Sequence, residues 1–299
     1  MNPVLKRTLA GLAVGAGVVG LFLYMPLTLF FPLLLVLTML VQLEFYQMAK
    51  AYEPVTVFGL LMGATWISWT AATPAGHPLV GFLVPGAVFG FLLAFFALCV
   101  LVLFRARHKN PVGTIASTLF GFFYVPFLTS FFLRFAQLQA SAPFGMPASR
   151  VGFYTLFALI AVCKFSDTGG FAFGLSFGKH KMCPSISPKK SWEGLFGSCV
   201  FSAVTAAVFL GIARACDWGA ACPLWGKLTY PAVLAGGAFL ALVATVGDLI
   251  ESRIKRECGV KDSSTFLPAG MGGFLDVFDS ILFIPAIAYP AFLWGSFAA

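Results

Sequence analysis

The acidic residues of this chain are few, and they gather. Of the eleven Asp and Glu among 299 residues, all but Glu44 and Glu53 fall at or beyond Asp167. The densest group begins Gly247-Asp248-Leu-Ile-Glu251-Ser252-Arg253-Ile-Lys255-Arg256. On a helix that continues through this run, Asp248, Ser252 and Lys255 or Arg256 share a face. A carboxylate, a hydroxyl and a cation in one stripe suit a metal-bound phosphate. Downstream, Lys261-Asp262-Ser263-Ser264 is followed by Gly272-Gly273-Phe-Leu-Asp276-Val-Phe-Asp279. Asp276 and Asp279, three apart at the start of a helix, are expected to project to one side and bind metal. A helix dipole favours acids at such a terminus. It does not call for two of them at membrane depth beside a glycine turn.

Two upstream runs add to this set. Lys164-Phe-Ser166-Asp167-Thr-Gly169-Gly170 continues to Gly174 and Gly178. The last three glycines recur every fourth residue, a spacing that suits close helix packing. Asp167, at the edge of an apolar run, is expected to be functional, because an ionisable group there is costly. The stretch from Lys179 to Gly194 carries Lys179, Lys181, Lys189 and Lys190 with Ser187 and Ser191. It reads either as a solvated basic loop near anionic headgroups or as a phosphate-binding loop fixed by Pro184 and Pro188. Ser191, three residues before Gly194, is expected to cap the following helix. His180 is read as a solvated side chain. Hard carboxylate ligands suit Mg2+, and Asp167, Asp248, Asp276 and Asp279 could hold two cations flanking a displacement at phosphorus. No general base is conspicuous, which favours a phosphate over an alcohol as nucleophile.

These residues must be positioned by membrane helices. Apolar residues make up 60% of the chain and charged residues 10%, against about 25% charge in a soluble domain; mean hydropathy is +0.93. The expected fold is all-α, a polytopic transmembrane bundle with about nine spans. The segments are roughly 9–24, 26–43, 55–72, 80–104, 112–136, 151–172, 194–213, 229–250 and 274–297; each is close to the ~20 apolar residues a span requires. The first is read as a span that stays, despite Lys6 and Arg7 before it. With the N-terminus inside, fifteen Lys and Arg fall on the inner side and only Arg134, Arg150, Arg214 and Lys227 on the outer. That bias gives an N-in/C-out topology and accounts for the net charge of +8 without a nucleic-acid partner. Residues 1–150 read as scaffold, and 151–299 as a catalytic region with inner loops at 165–193 and 251–273. Seven cysteines form no metal spacing. Cys99, Cys163 and Cys199 read as small buried hydrophobes, while Cys216 and Cys222 flank a short outer loop that a disulfide could close.

The run Ser252-x2-Lys255-Arg256-x4-Lys261-Asp262-x-Ser264-x2-Leu267-Pro268, followed by Gly272-Gly273-x2-Asp276-x2-Asp279, resembles the signature of the phosphatidate cytidylyltransferases, the CDP-diacylglycerol synthase family. Asp167-x-Gly169-Gly170, Gly178-Lys179-His180 and Ser187-Pro188-Lys189-Lys190-Ser191-Trp192-Glu193-Gly194 look like the same family, with a fainter echo at Glu44-Phe45-Tyr46. The resemblance covers roughly 165–285. It departs where the family usually has Pro-x-His-Gly-Gly and this chain has Pro268-Ala-Gly-Met271-Gly-Gly. It departs again where an arginine usually separates the two acids and Val277 stands.

The resemblance implies that CTP and phosphatidate give CDP-diacylglycerol and pyrophosphate, with Mg2+ and a second cation, K+. It implies catalytic roles for Ser252, Lys255, Arg256, Lys261 and Asp262. Substrate would be held by Lys179, Ser187, Lys189, Lys190, Ser191, Gly272 and Gly273, and metal by Asp167, Asp248, Asp276 and Asp279. The expected setting is a bacterial inner membrane with the site facing the cytoplasm; a homodimer is left open. Two rivals remain: a CTP-dependent lipid kinase passing on the γ-phosphoryl group, and an ion-coupled transporter. A transporter's acids should be spread through the bilayer, whereas these crowd one edge. A CDP-alcohol phosphatidyltransferase is disfavoured because its Asp-Gly-x2-Ala-Arg motif is missing.

Overall fold

A computed structural model describes residues 26–73, 85–104, 110–138, 151–215, 227–264 and 272–297. Within these, α1 (Leu27–Met48) runs into a 3-10 turn (Ala49–Tyr52), followed by α2 (Thr56–Ala72), α3 (Pro85–Phe104) and α4 (Pro111–Phe122). A π turn (Phe123–Phe127) joins α4 to α5 (Leu128–Ala136). Then come α6 (Val151–Phe177), a hairpin of β1 (Lys181–Cys183) and β2 (Ser187–Ser191), α7 (Trp192–Ala215) and α8 (Tyr230–Glu257). The short α9 (Phe274–Phe278) and α10 (Phe283–Phe297) close the series. Eight of the nine predicted segments fall on these helices; the segment at 9–24 lies outside the described residues, as do Cys216 and Cys222. Among the described residues six stretches are long and apolar enough to cross a membrane, and Thr56–Ala72 and Val88–Phe104 are shorter apolar helices. The fold is a polytopic helical bundle with one small hairpin.

The two polar connections are shorter than the sequence suggests. Residues after Asp167 stay helical as far as Phe177, because Phe171-Ala-Phe-Gly-Leu-Ser-Phe177 continues the apolar run, no proline interrupts it, and the glycines pack against α7. The eighth predicted segment likewise continues to Glu257, so Asp248 to Lys255 is helical. The π turn has a local cause: Pro126 lacks the N–H that the helical ladder needs there, and the backbone widens around it.

The helices α6, α7 and α8 pack on small residues. Any Cβ at Gly169 would run into the Gly197 carbonyl and Phe201, and one at Gly197 into Phe173 and the Gly169 carbonyl. The two backbones therefore meet with no side chain between them. Ser198 Oγ donates to Ser166 O at 2.9 Å, and Ser202 Oγ to Gly237 O at 2.7 Å, carrying the contact on to α8. One buried cluster joins both halves, with Phe30 and Leu34 of α1, Phe132 and Phe135 of α5, Phe153 and Leu156 of α6, and Ile284 and Tyr289 of α10. At one end of the bundle Arg134 donates to Thr73 O at 3.1 Å, satisfying a carbonyl at the end of α2. At the other end Tyr52 Oη stands 3.2 Å from Glu257 Oε1.

Candidate active site

Four acids and three lysines line one cavity of about 430 Å3. Helix α6 contributes Lys164 and Asp167, the hairpin Ser187, Lys189, Lys190 and Ser191, and α8 Thr245 and Asp248. Asp276, Asp279 and Ser280 come from α9 and the turn after it. Two apolar clefts, of about 230 and 280 Å3, contain no titratable side chain in their linings.

At one wall three carboxylates come together. Ligand oxygens of Asp248, Glu251 and Asp279 all lie within 4.8 Å of one another. Asp248 and Glu251 are adjacent on α8, three residues apart. Gly247 lets the turn at 279 approach, since a Cβ there would sit 3.0 Å from Asp279 O. The Ser280 N–H donates to Asp279 Oδ1. Asp248 Oδ2 pairs with Lys190 Nζ at 2.6 Å, and Lys190 also donates to Thr245 O at 3.1 Å. Glu251 is fully buried. Lys255 Nζ stands 2.5 Å from its Oε2, yet neither Glu251 oxygen has an aligned hydrogen-bond donor among the described residues. The contact is a close ion pair, and Oε1 is left with no donor among the described residues. Three hard oxygen donors, one of them a buried carboxylate short of donors, fit a hard divalent cation.

Asp276 behaves differently from Asp279. Both line the cavity, but their surroundings differ. Asp276 lies inside the five-residue α9, and Asp279 lies in the turn after it. Asp276 Oδ1 takes Lys255 Nζ at 2.8 Å, while Oδ2 takes Gly273 N–H at 2.7 Å and Ser263 N–H at 3.0 Å. Those donors fill most of its lone pairs. Gly272 is required beside it, with φ at +78° and a hypothetical Cβ colliding with the Asp276 carboxylate. Behind this group Glu44 of α1 is buried. It accepts Leu275 N–H at 2.9 Å and Ser264 Oγ–H at 2.8 Å. Ser263 Oγ stands between Glu44 Oε2 at 3.3 Å and Asp276 Oδ2 at 3.0 Å.

The lysine-rich connection is an antiparallel hairpin with Lys181 opposite Ser191 and Cys183 opposite Ser187. A two-stranded ribbon leaves every strand an edge, so Pro188 in β2 withholds no donor that a third strand would need. Ser191 Oγ accepts Gly194 N–H at 3.2 Å, the expected N-cap of α7. His180 is not merely solvated. Its Nδ1 lies 2.6 Å from Glu193 Oε1 and its backbone N–H reaches the same carboxylate at 3.2 Å, which fastens the start of the hairpin to α7.

Among the predicted site residues, Asp167, Asp248, Asp276, Asp279, Ser187, Lys189, Lys190 and Ser191 line one cavity. Gly272 and Gly273 are buried behind Asp276. Ser252 donates to Asp248 Oδ1 at 3.3 Å, and Lys255 joins Glu251 to Asp276. Lys179, Arg256, Lys261 and Asp262 are exposed and outside the lining; Arg256 donates to Val260 O at 3.2 Å. Leu267, Pro268 and Met271 lie outside the described residues. Sequence reasoning passed over Glu251, Lys164, Ser280 and the latch made by Glu44. Glu251 was within reach, since it stands three residues after Asp248 and four before Lys255.

A family model described as the cytidylyltransferase family matches residues 5–294. The chain belongs to the cytidylyltransferase family. Relatives include a phosphatidate cytidylyltransferase of Mycobacterium bovis, 37% identical over 173 residues (58% of this chain and 49% of the relative). Another, from Bacillus subtilis, is 37% identical over 136 residues (46% of each). A third, from Chlamydia muridarum, is 32% identical over 197 residues (64% of this chain and 60% of the relative). The chain spans about half the length of the curated relatives it matches.

Proposed function

We propose that this protein transfers the cytidylyl group of CTP to phosphatidate, forming CDP-diacylglycerol and pyrophosphate. One observation carries the reading: in a chain of the cytidylyltransferase family, Asp167, Asp248, Asp276, Asp279 and a lysine-bearing hairpin line one cavity, with Glu251 close behind Asp248 and Asp279. A phosphate oxygen of phosphatidate bonds to the α-phosphorus of CTP as the α–β bridging bond breaks, and pyrophosphate leaves with that bond's electrons. The nucleophile is already anionic, so no general base is needed.

Asp248, Glu251 and Asp279 would hold Mg2+, with Asp167, 3.4 Å from Ser280 Oγ, and Asp276 completing the acidic set. A second cation, K+, belongs to the same reading. Bound Mg2+ would neutralise charge developing on the transferring phosphoryl and leaving pyrophosphate groups. The chain's own residues then position the substrates. Lys189, Lys190, Ser187 and Ser191 offer donors to the phosphates of CTP, with Lys179 beside them. Gly272 and Gly273 allow the close backbone approach that presents Asp276. Lys255 holds Glu251 and Asp276 at fixed separation, Ser252 orients Asp248, and Arg256, Lys261 and Asp262 form the outer rim. Lowering of the barrier comes from fixed placement and fixed charge. The site opens to the cytoplasm in an N-in/C-out bundle of nine spans, in a bacterial inner membrane. The gathering of the hairpin and Glu257 at one end and Arg134 and Arg214 at helix ends away from it supports that orientation.

The test is incubation of purified protein in micelles with labelled CTP and phosphatidate, with and without Mg2+. CDP-lipid and pyrophosphate in equal amounts are expected, only with the metal. Free CDP without CDP-lipid would show γ-phosphoryl transfer instead and end this reading.

A further inference from the structure

Lys164 stands thirteen residues from each end of α6 (Val151–Phe177). The other Lys and Arg of the described candidate spans all lie within the last five residues of theirs, where long side chains reach the interface. A cation in mid-span is costly and is kept where it faces a partner or a water-filled cavity. Lys164 lines the polar cavity, and its side chain is 44% exposed.

Its protein contacts are long. Nζ is 3.5 Å from Asp167 Oδ2, 3.4 Å from Val277 O and 3.4 Å from Ser280 Oγ, all beyond the usual 2.7–3.2 Å of an N–H···O bond. Lys190 and Lys255 differ, with carboxylate oxygens at 2.6 Å and 2.5 Å. Lys164 is therefore held in place by weak contacts and keeps donors for a ligand. Position narrows the ligand. The hairpin lysines enter from beyond the end of α6, and Lys164 enters from the middle of that candidate span. Two phosphate groups must meet in this cavity if the reaction is the one proposed above, and only one belongs to a molecule anchored in the bilayer.

We infer that Lys164 binds the phosphomonoester of phosphatidate, while the hairpin lysines bind the phosphates of CTP. The assignment rests on the proposed reaction for its ligand. A lysine suits this role as a compact charge with three donors.

The test measures KM for each substrate with the other saturating, using the full chain in mixed micelles. Lys164→Gln should raise KM for phosphatidate roughly 10- to 100-fold, the range for a hydrogen bond to a charged group. KM for CTP should stay within about twofold. Lys164→Arg should recover most of the phosphatidate affinity, and Lys164→Met serves where Lys164→Gln does not accumulate. An equal rise in KM for CTP would overturn the assignment. So would a fall in kcat with both KM values unchanged, since Lys164 would then only neutralise Asp167, Asp248 and Asp279. Equilibrium binding of phosphatidate to wild type and Lys164→Gln, in phosphatidylcholine micelles without CTP, reads the same contact without turnover. A wild type that binds phosphatidate through Lys164 but forms no CDP-lipid would refute the reaction and leave this contact standing.

Discussion

The helices between Leu27 and Ala136 and those between Val151 and Phe297 bury their polar groups by different means. In the first region the partners are neutral. Gln42 Nε2 donates to Gly59 O at 2.9 Å, Tyr46 Oη–H to Thr118 O at 2.8 Å, and the Val55 N–H to Thr118 Oγ1 at 2.9 Å. The second region adds ion pairs to such neutral bonds, with Lys255 between Glu251 and Asp276, and Lys190 on Asp248. Neutral pairs fix helix positions without moving a charge out of water. Buried ion pairs carry a desolvation cost that Coulomb attraction only partly offsets, so stability alone does not explain their presence. The difference separates a region that supports from one that reacts. Arg134, on Thr73, and Glu44 are exceptions; Glu44 is a scaffold carboxylate that takes its donors from residues 263, 264 and 275.

The strongest break of this contrast is Lys255→Met. It removes the cation shared by two buried acids, and loss of one partner of a buried pair costs about 3–5 kcal/mol. Detergent-solubilised protein should unfold at markedly lower temperature, with activity lost alongside. If the Lys255→Met variant kept wild-type stability, the charged cluster would not be holding the second region together. Asp279→Asn should act on chemistry instead. Turnover is expected to fall on the order of 10²–10³-fold, as when one preorganised charge partner of a transferring group is removed, with thermal stability near wild type. Glu251→Gln should behave likewise and lose the response to added Mg2+. Retention of that response in both variants would sink the three-carboxylate assignment.

The uneven legibility of the molecule follows the same division. Helices were readable because a membrane span is written in a continuous stretch, and the glycines at 170, 174 and 178 announce close packing by their spacing alone. Asp248 and Lys190 were readable as chemistry because lysines and acids in an apolar chain stand out. Their pairing was not, since it joins α8 to a hairpin that the sequence presents as a loop. The unlike roles of Asp276 and Asp279 were hidden for a similar reason. Both stand in one short run, but the donors that occupy Asp276 come from Ser263 and Lys255, brought in by tertiary packing. Periodicity reports on one helix at a time, so a latch such as Glu44 to Leu275, 231 residues apart, leaves no local pattern.

That latch offers the intermediate test. Glu44→Ala leaves the buried Leu275 N–H without its acceptor and removes one partner of Ser264, an expected cost of about 1–3 kcal/mol. Activity should fall more than stability does, because the residues released are those that present Asp276. Ser264→Ala should reproduce a smaller part of the loss. Equal losses of stability and activity across both variants would make Glu44 an ordinary packing contact.

The smallest effect is expected deepest in the scaffold. Tyr46→Phe deletes the donor to Thr118 O but leaves Gln42 Nε2 bonded to Gly59 O and Thr118 Oγ1 bonded to Val55 N–H. Two neutral hydrogen bonds are lost, the one to Thr118 O and the one accepted from Gln42 Nε2 at 3.0 Å, while Gln42 keeps Gly59 O, so about 1–2 kcal/mol of stability should go. The ring remains packed against Phe45, and no ionised group changes partner. Both KM values and kcat should therefore match wild type once the protein is folded, as steady-state assays well below the unfolding temperature would show. A changed kcat in Tyr46→Phe would mean that the neutral network reaches the chemistry through α1, two residues from Glu44, and that the two regions are less separate than their polar groups suggest.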